Sequence, residues 1–191
     1  MINDFICALQ ANQISLLVDV RSQPYSQHFP DYNKDSLAKT LGLSGIYYRN
    51  YAKEFGARQE DRKYYSKEGF LDFELFAKSP LFLGGYEKLV SSMKQKYHFA
   101  LMCAEKDPFN CHRAILVSRA FHDAGYNVIH LLPNNKKTTQ EEIESRLLDK
   151  YFPNRDQLTL FGDSLDEGNY LLQAYRNRNA EIGYSIEEEG K

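Results

Sequence analysis

The chain has 191 residues, 42% of them hydrophobic, which is enough for a buried core, and its net charge of −2 gives no general reason to expect a nucleic-acid or membrane partner. Three cysteines are too few for the disulfide framework of a secreted protein. No apolar run reaches the roughly 20 residues of a membrane span, and the N-terminus lacks a signal-peptide pattern. We therefore expect a cytoplasmic protein without a membrane partner. Composition assigns neither a cofactor nor an oligomeric state.

The N-terminal part of the chain predicts a helix followed by strands. Residues 2–10 predict a short helix, and the β-branched, almost continuously apolar residues 14–20 predict a central strand of a parallel sheet. Two prolines place a loop at residues 21–33, and residues 46–51 predict a second strand. The loop therefore lies at the carboxyl end of the central strand.

Helical patterns dominate the middle of the chain. Residues 70–78 and 86–96 predict two helices, which Ser79-Pro80 and Gly84-Gly85 separate because proline and glycine pairs favour turns. The short apolar run of residues 97–102 predicts a buried strand. The segment that follows this strand should therefore begin at an edge of the sheet.

A second β-strand pattern follows a helix in the next part of the chain. A helix is predicted from Cys111 to about Ala124, with Gly125 at its end, and residues 127–132 predict a strand. Together with the strand at 97–102, these elements predict a βαβ unit with parallel pairing.

The remaining residues predict helices. The pattern of residues 139–142 is a capping box, which should open a helix that ends near Tyr151, and another helix is expected at 165–177. The predicted fold is a single three-layer α/β domain with a mostly parallel sheet. Residues 1–135 would form the core, and residues 136–191 a C-terminal helical extension packed on it.

Reactive side chains are concentrated in residues 101–113. They belong to Cys103, Glu105, Lys106, Cys111, His112 and Arg113. The segment lies between a predicted strand and a predicted helix, and Asn110 is the expected N-cap of that helix. Cys111 and His112 would then lie in the first turn, where the helix dipole favours anions and lowers the pKa of a thiol.

A second polar cluster, Asp19-Val20-Arg21-Ser22, follows the predicted central strand. Parallel α/β sheets form their ligand sites outside the carboxyl ends of the strands. We therefore expect this cluster and the segment of residues 103–113 to line one anion-binding pocket.

These motifs carry a family resemblance. Asp19-Val20-Arg21-Ser22-Gln23-Pro24-Tyr25-Ser26, with Cys103-Ala104-Glu105-Lys106 and Cys111-His112-Arg113, resembles the family called domain of unknown function, family 488. That family has an Asp-Val-Arg-Ser segment followed by Pro and Ser, and a later Cys-x-Glu stretch that ends in Cys-His-Arg. The resemblance covers about residues 14–132, and Leu160-Phe161 also fits it. It implies a three-layer α/β fold and leaves the biochemical activity open.

The order of elements is also similar to sulfurtransferases of the rhodanese type, so a rhodanese-like topology is expected. Those proteins, like Cys-loop phosphatases, carry a catalytic cysteine at the head of an anion-binding loop. Here Glu105, Asp107 and Pro108 replace the glycine-rich amides of such a loop. Phe109 stands where the phosphatases have arginine. The sequence therefore disfavours both mechanisms.

In an enzyme, each polar residue would have a chemical role. Cys111 or Cys103 would be the nucleophile, and His112 or Glu105 would transfer protons. The substrate-binding residues would be Asp19, Arg21, Ser22, Arg113 and Lys106. The alternative is structural: Cys103 could be a small buried hydrophobe, and the arginines could pair with Asp19 or Glu105 to tie the loops together.

Three functions therefore stay open. The first is an enzyme that acts on a phosphorylated or other anionic substrate, with a nucleotide or nucleic acid among the candidates. The second is a non-catalytic regulatory module that binds an anionic small molecule or nucleic acid. The third is a metal site with Cys103, Cys111 and His112 as ligands, although the spacing lacks the tight Cys-x-x-Cys chelate of many zinc sites.

Overall fold

The structure is a computed structural model, which describes residues 2–155 and 167–186. Helices and strands are mixed, and three strands form a parallel sheet, which confirms the predicted α/β class. Leu160-Phe161, which fits the family pattern, lies outside the described residues. No helix among the described residues is long and apolar enough to cross a membrane.

The chain forms two compact units, and each unit is built from two stretches of chain. The first consists of residues 1–60 and 76–104, and the second of residues 61–75 and 105–191. The predicted separation into a core and an extension at residue 135 stays a prediction.

The first unit contains a three-stranded parallel sheet in the order β2-β1-β3. Its strands are β1 (Leu16–Asp19), β2 (Tyr47–Asn50) and β3 (Phe99–Met102). All residues of β1 are buried, which confirms the central parallel strand that the apolar run predicts. Exposure alternates along β2, as expected for an edge strand with one solvated face.

A hydrophobic cluster joins this sheet to two helices of the first unit, α1 (Ile2–Ala11) and α2 (Lys34–Leu43). Helix α1 confirms the helix predicted at residues 2–10. The buried members of the cluster are Ile6, Leu9, Leu17, Leu37, Leu41, Ile46 and Met102. Residues spaced three or four apart on a helix share one face, which is why both helices contribute pairs of side chains to the core.

Three helices follow β2 along the chain. They are α3 (Ala52–Phe55), α4 (Phe73–Ala77) and α5 (Pro80–Lys94). Helix α5 begins where Ser79 Oγ accepts the N–H of Phe82 at 3.1 Å and Pro80 takes the first helical position. The predicted break at Gly84-Gly85 is wrong, because α5 runs through both glycines.

The second unit contains the remaining helices and a two-stranded sheet. The elements are a π-helix (Arg113–Ser118), α6 (Arg119–Asp123), β4 (Ile129–Leu131), β5 (Lys137–Thr139), α7 (Gln140–Tyr151) and α8 (Glu167–Ile182). The π-helix continues directly into α6, and Gly125, with a φ of +85°, follows the end of that helix as predicted. The capping box at Thr139 and Glu142 is also confirmed.

The predicted βαβ unit is wrong. Among the described residues, β4 pairs antiparallel with β5 in a separate two-stranded sheet, in which Ile129 lies opposite Thr139. The chain reverses between these strands at Asn134 and Asn135, which have φ values of 60° and 56°. Asparagine adopts this left-handed conformation more readily than most residues, so the turn favours a hairpin over a crossover.

Candidate functional site

The two polar segments leave neighbouring strands of the sheet at the same edge. Asp19 lies opposite Met102 in the parallel pairing of β1 with β3, and the N–H of Val20 donates to the carbonyl of Met102 at 3.0 Å. Cys103 follows Met102 directly, so it begins beside the Asp19–Ser22 segment. The expectation that Arg113 lines the same pocket stays a prediction.

Asp19 organises the loop that follows β1. The carboxylate is completely buried and accepts hydrogen bonds from Arg21 Nε at 2.8 Å, Arg21 Nη2 at 2.6 Å and Tyr48 Oη at 2.7 Å. Arg21 Nη2 also donates to the carbonyl of Tyr32 at 2.8 Å. These contacts favour a structural role for Asp19 and Arg21, because the fork of the guanidinium is directed at the carboxylate.

The pKa values of the two partners reflect this environment. Burial alone would lower the pKa of Arg21, but the hydrogen bond and charge of Asp19 outweigh it, so the pKa is raised. Burial raises the pKa of Tyr48, and the hydrogen bond to Asp19 raises it further. Arg21 therefore stays charged and Tyr48 stays protonated around neutral pH.

Ser22 holds another loop of the first unit. Its Oγ accepts the N–H of Arg58 at 3.0 Å. A Cβ atom at Gly56 would lie 2.8 Å from this Oγ and 2.3 Å from the carbonyl oxygen of Ala52, so the turn after α3 has room only for glycine. Ser22 therefore has a clear structural partner, and its predicted contact with an anion stays a prediction.

Cys111, and not Asn110, occupies the N-cap position of the helical segment. Its backbone is extended, with φ −129° and ψ 130°, and its carbonyl accepts the N–H groups of Ala114 at 3.0 Å and Ile115 at 3.1 Å. Its Sγ accepts the N–H of Arg113 at 3.4 Å, as an N-cap side chain does. The prediction that Asn110 is the N-cap is therefore wrong.

The shift of the cap by one residue has a local cause. Asp107 accepts the N–H of Phe109 at 3.0 Å and starts a short 3-10 turn, Pro108–Asn110, which takes Asn110 out of the cap position. The helical segment then begins as a π-helix, a conformation that is often found at functional sites.

Four ligand-type side chains converge in the segment of residues 103–113, which we call the cysteine loop. The Sγ atoms of Cys103 and Cys111, a ring nitrogen of His112 and a carboxylate oxygen of Glu105 all lie within 4.8 Å of one another. Cys111 and His112 are buried, Cys103 is partly buried and Glu105 is exposed. A tetrahedral zinc site with bonds of about 2.0–2.3 Å holds its ligand atoms roughly 3.3–3.8 Å apart, so small side-chain movements would bring these groups around one ion.

The Cys111 thiol has a proton acceptor within reach. Its Sγ donates to Glu105 Oε2 at 3.2 Å and at the same time accepts the N–H of Arg113. The N–H that donates to the sulfur favours the thiolate, and the Glu105 carboxylate is a base that can take up the thiol proton. A thiolate is the form of cysteine that binds metals and attacks electrophiles.

The cations of the loop differ from Arg21 in their surroundings. Arg113 is partly buried, and no carboxylate of the described residues forms an ion pair with its guanidinium. Burial lowers the pKa of His130, and the positive charge of Arg113 lowers it further, which places this charge near a buried imidazole. Lys106 is exposed. The predicted roles of Arg113 and Lys106 in binding an anion stay predictions.

Contacts of two arginines with the cysteine loop were not predicted from the sequence. Arg146 and Arg178, from α7 and α8, contact the 3-10 turn that precedes Cys111. Nothing in the local pattern of either helix distinguishes these arginines from solvated ones, because their partners lie far away in the sequence.

The fold and the cysteine loop together define an α/β protein with a cluster of cysteine, histidine and carboxylate side chains. The family model described as Domain of unknown function DUF488 matches residues 1–120, and the chain belongs to this family. The match includes both polar segments and ends before α7 begins. The comparisons with curated proteins and with solved structures gave no significant match.

Proposed function

We propose that this protein is a metal-dependent enzyme that acts on a phosphorylated or other anionic substrate at the cysteine loop. The observation that carries the proposal is the convergence of Cys103, Glu105, Cys111 and His112 within 4.8 Å. Two thiols and an imidazole form a donor set that suits zinc. Catalytic zinc sites commonly use three protein ligands and leave one coordination position for water or substrate.

We assign the three ligand positions to Cys103, Cys111 and His112. Metal binding requires both thiols to lose their protons. Glu105 already accepts a hydrogen bond from Cys111 and is the group that can receive one of these protons. With Cys111 as a ligand, the Glu105 carboxylate would act as a general base at the open position. A bound zinc ion would lower the pKa of water at that position to about 7.

Arg113 and Lys106 would bind the anionic group of the substrate. Arg113 is two residues from Cys111, and its N–H donation to Sγ fixes the backbone at the start of the π-helix. A partly buried guanidinium binds phosphate or carboxylate oxygens with two parallel hydrogen bonds. Asp19 and Arg21 would hold the loop after β1.

A second candidate is a thiol enzyme in which Cys111 is the nucleophile. The N-cap position of Cys111 and its hydrogen bond to Glu105 favour this mechanism, because the N–H of Arg113 stabilises a thiolate and the Glu105 carboxylate can accept the thiol proton. The nucleophile hypothesis gives no role to the approach of Cys103, whereas the metal hypothesis uses all four groups. We therefore prefer the metal site.

Zinc binding by the full-length protein tests the proposal. After removal of metal with a chelator, zinc is titrated into the parent and into Cys111→Ser, His112→Gln and Cys7→Ser, with a competing chelator present. Cys7 is exposed in α1 and provides the matched control for the loss of a thiol. We expect about one zinc ion per chain in the parent and in Cys7→Ser, and a loss of affinity of more than roughly tenfold in the other two variants.

The alternatives give different results. If neither the parent nor Cys7→Ser binds zinc above background, the metal site is abandoned, and faster alkylation of Cys111 than of Cys7 would then support the thiol nucleophile. If zinc binds, turnover is measured with nucleotides and other phosphorylated compounds. Glu105→Gln should keep the metal and lose turnover. Metal binding without turnover of any such compound would support the non-catalytic module.

A further inference from the structure

The 3-10 turn before Cys111 is contacted by two helices from the C-terminal part of the second unit. Two guanidinium groups approach the ring of Phe109, and the central carbon of Arg146 and that of Arg178 are each 4.5 Å from its centroid. Arg146 also donates to both carboxylate oxygens of Asp107, at 3.0 and 2.7 Å. The turn is therefore clamped by α7 and α8.

Arg178 is the buried half of this clamp. Its side chain is 7% exposed, whereas that of Arg146 is 47% exposed. Arg178 Nε donates to the carbonyl of Phe109 at 2.9 Å, and Nη2 donates to the side-chain oxygen of Asn110. One guanidinium thus fixes both residues that precede Cys111.

Helices α7 and α8 are also joined to each other by an ion pair next to Arg178. Glu181 accepts Nη1 of Arg178 and Nζ of Lys150, both at 2.5 Å. The pKa of Glu181 is lowered, chiefly by the hydrogen bond from Lys150, so the carboxylate stays charged around neutral pH. The guanidinium of Arg178 is therefore held from two sides, by Glu181 on its own helix and by the 3-10 turn.

We infer that Arg178 is a positioning residue for the Cys111 and His112 ligands, and that α8 is a required part of the metal site. The inference rests on the proposed function. A turn that is free to move would let Cys111 and His112 separate from Cys103 and Glu105. Groups that orient metal ligands typically change metal affinity by about 10–100-fold when they are removed. A rigid supporting shell is what keeps such ligands in place.

Four substitutions separate positioning from general stability. Arg178→Met removes the clamp, and Arg176→Met removes an arginine from the same helix that is 52% exposed and pairs with Glu74. Leu147→Ala removes a completely buried side chain of α7 and lowers stability while it keeps both arginines of the clamp. Asn110→Ala removes only one hydrogen-bond acceptor of Arg178. This milder variant tests the same contact if Arg178→Met does not fold.

Zinc affinity and cobalt spectra of the full-length variants are the readouts. We expect Arg178→Met to weaken zinc binding by about 10–100-fold and to change the cobalt absorption spectrum, while Arg176→Met and Leu147→Ala keep both. Asn110→Ala should weaken binding in the same direction. If Arg178→Met binds zinc as the parent does, or if Leu147→Ala weakens binding equally, the positioning role is wrong.

A second readout does not depend on the metal. Cys111 is 1% exposed, and a released turn should make it react with iodoacetamide faster relative to Cys7 in the same sample. The ratio of the two rates should rise in metal-free Arg178→Met and stay unchanged in Arg176→Met. If the parent binds no zinc but the ratio still rises in Arg178→Met, the metal site is rejected and the clamp is retained. An unchanged ratio would reject the clamp.

Discussion

Arg21 and Arg113 illustrate two different uses of arginine at the residue scale. The Arg21 guanidinium directs its donors at the buried Asp19 carboxylate and at the carbonyl of Tyr32. Arg113 forms no ion pair with a carboxylate in the described part of the chain. Two arginines that follow similar sequence patterns therefore have different expected roles, one in holding a loop and one in binding an anion.

The substitutions Arg21→Met and Arg113→Met should separate these roles. Arg21→Met leaves a completely buried carboxylate without its charged partner, so we expect it to lower the free energy of unfolding by about 3–5 kcal/mol. Arg113→Met should cost far less, because no ion pair is lost, but it should remove the protection that inorganic phosphate gives against heat. Urea unfolding and thermal melts with and without phosphate measure both effects.

The opposite pattern would show that the roles are reversed. If Arg21→Met is as stable as the parent and no longer responds to phosphate, Arg21 binds the anion and Asp19 is not an essential partner. The double variant Asp19→Asn with Arg21→Met is a useful control. It removes the buried charge together with its partner and should recover part of the stability that Arg21→Met loses.

At the scale of elements, two adjacent glycines in α5 have different surroundings. A Cβ atom at Gly85 would lie 2.7 Å from the Cβ of Glu54 and 3.0 Å from the ring of Phe55. A Cβ atom at Gly84 would have nothing within 4 Å. Gly85 therefore allows α5 and α3 to approach closely, whereas Gly84 only carries the entropic cost of glycine in a helix.

The two alanine substitutions should consequently change stability in opposite directions. Gly84→Ala should raise the free energy of unfolding by roughly 0.5–1 kcal/mol, because alanine favours the helix and meets no neighbour. Gly85→Ala should lower it by about 1–3 kcal/mol, because α3 must move to admit the methyl group. Urea denaturation of both variants tests this. Equal stabilisation by both would mean that the contact between α3 and α5 is looser than these distances indicate.

Local patterns in the sequence predicted the elements whose causes are local. The apolar run of β1, the capping box at Thr139 and the glycine after α6 each depend on neighbouring residues, and all three are confirmed. The break at Gly84-Gly85 was wrong because the reason for Gly85 lies in α3, which is distant in the sequence. The N-cap was displaced from Asn110 to Cys111 because Asp107 opens a competing turn.

At the scale of the whole molecule, contacts between distant residues account for what the sequence did not reveal. The partner of β4 is β5, a strand too short and polar for its pattern to predict. The turn before Cys111 is held by Arg178, at a separation of 69 residues from Phe109. The residues of the cysteine loop could therefore be predicted from the sequence. The contacts of α7 and α8 with the loop became visible only in the structure.

A shortened chain would test the predicted boundary at residue 135. A chain of residues 1–135 would lack α7 and α8, which supply Ile143, Leu147 and Tyr175 to the buried interior of the second unit. It would also lack Gln140, whose side chain is completely buried, forms a hydrogen bond with His130 at 2.8 Å and donates to the carbonyl of Ala114 at 3.3 Å.

We expect this shortened chain to keep the first unit folded and to lose the structure of residues 105–135. The parallel sheet and its hydrophobic cluster lie entirely within residues 1–60 and 76–104, so their amides should remain protected from hydrogen exchange. Residues 105–135 should exchange rapidly, because most of the side chains that bury them are missing. Cys111 should then be alkylated as fast as exposed Cys7. Full protection of residues 105–135 in the shortened chain would instead establish 1–135 as an autonomous core. It would also show that α8 is not required for the structure of the cysteine loop.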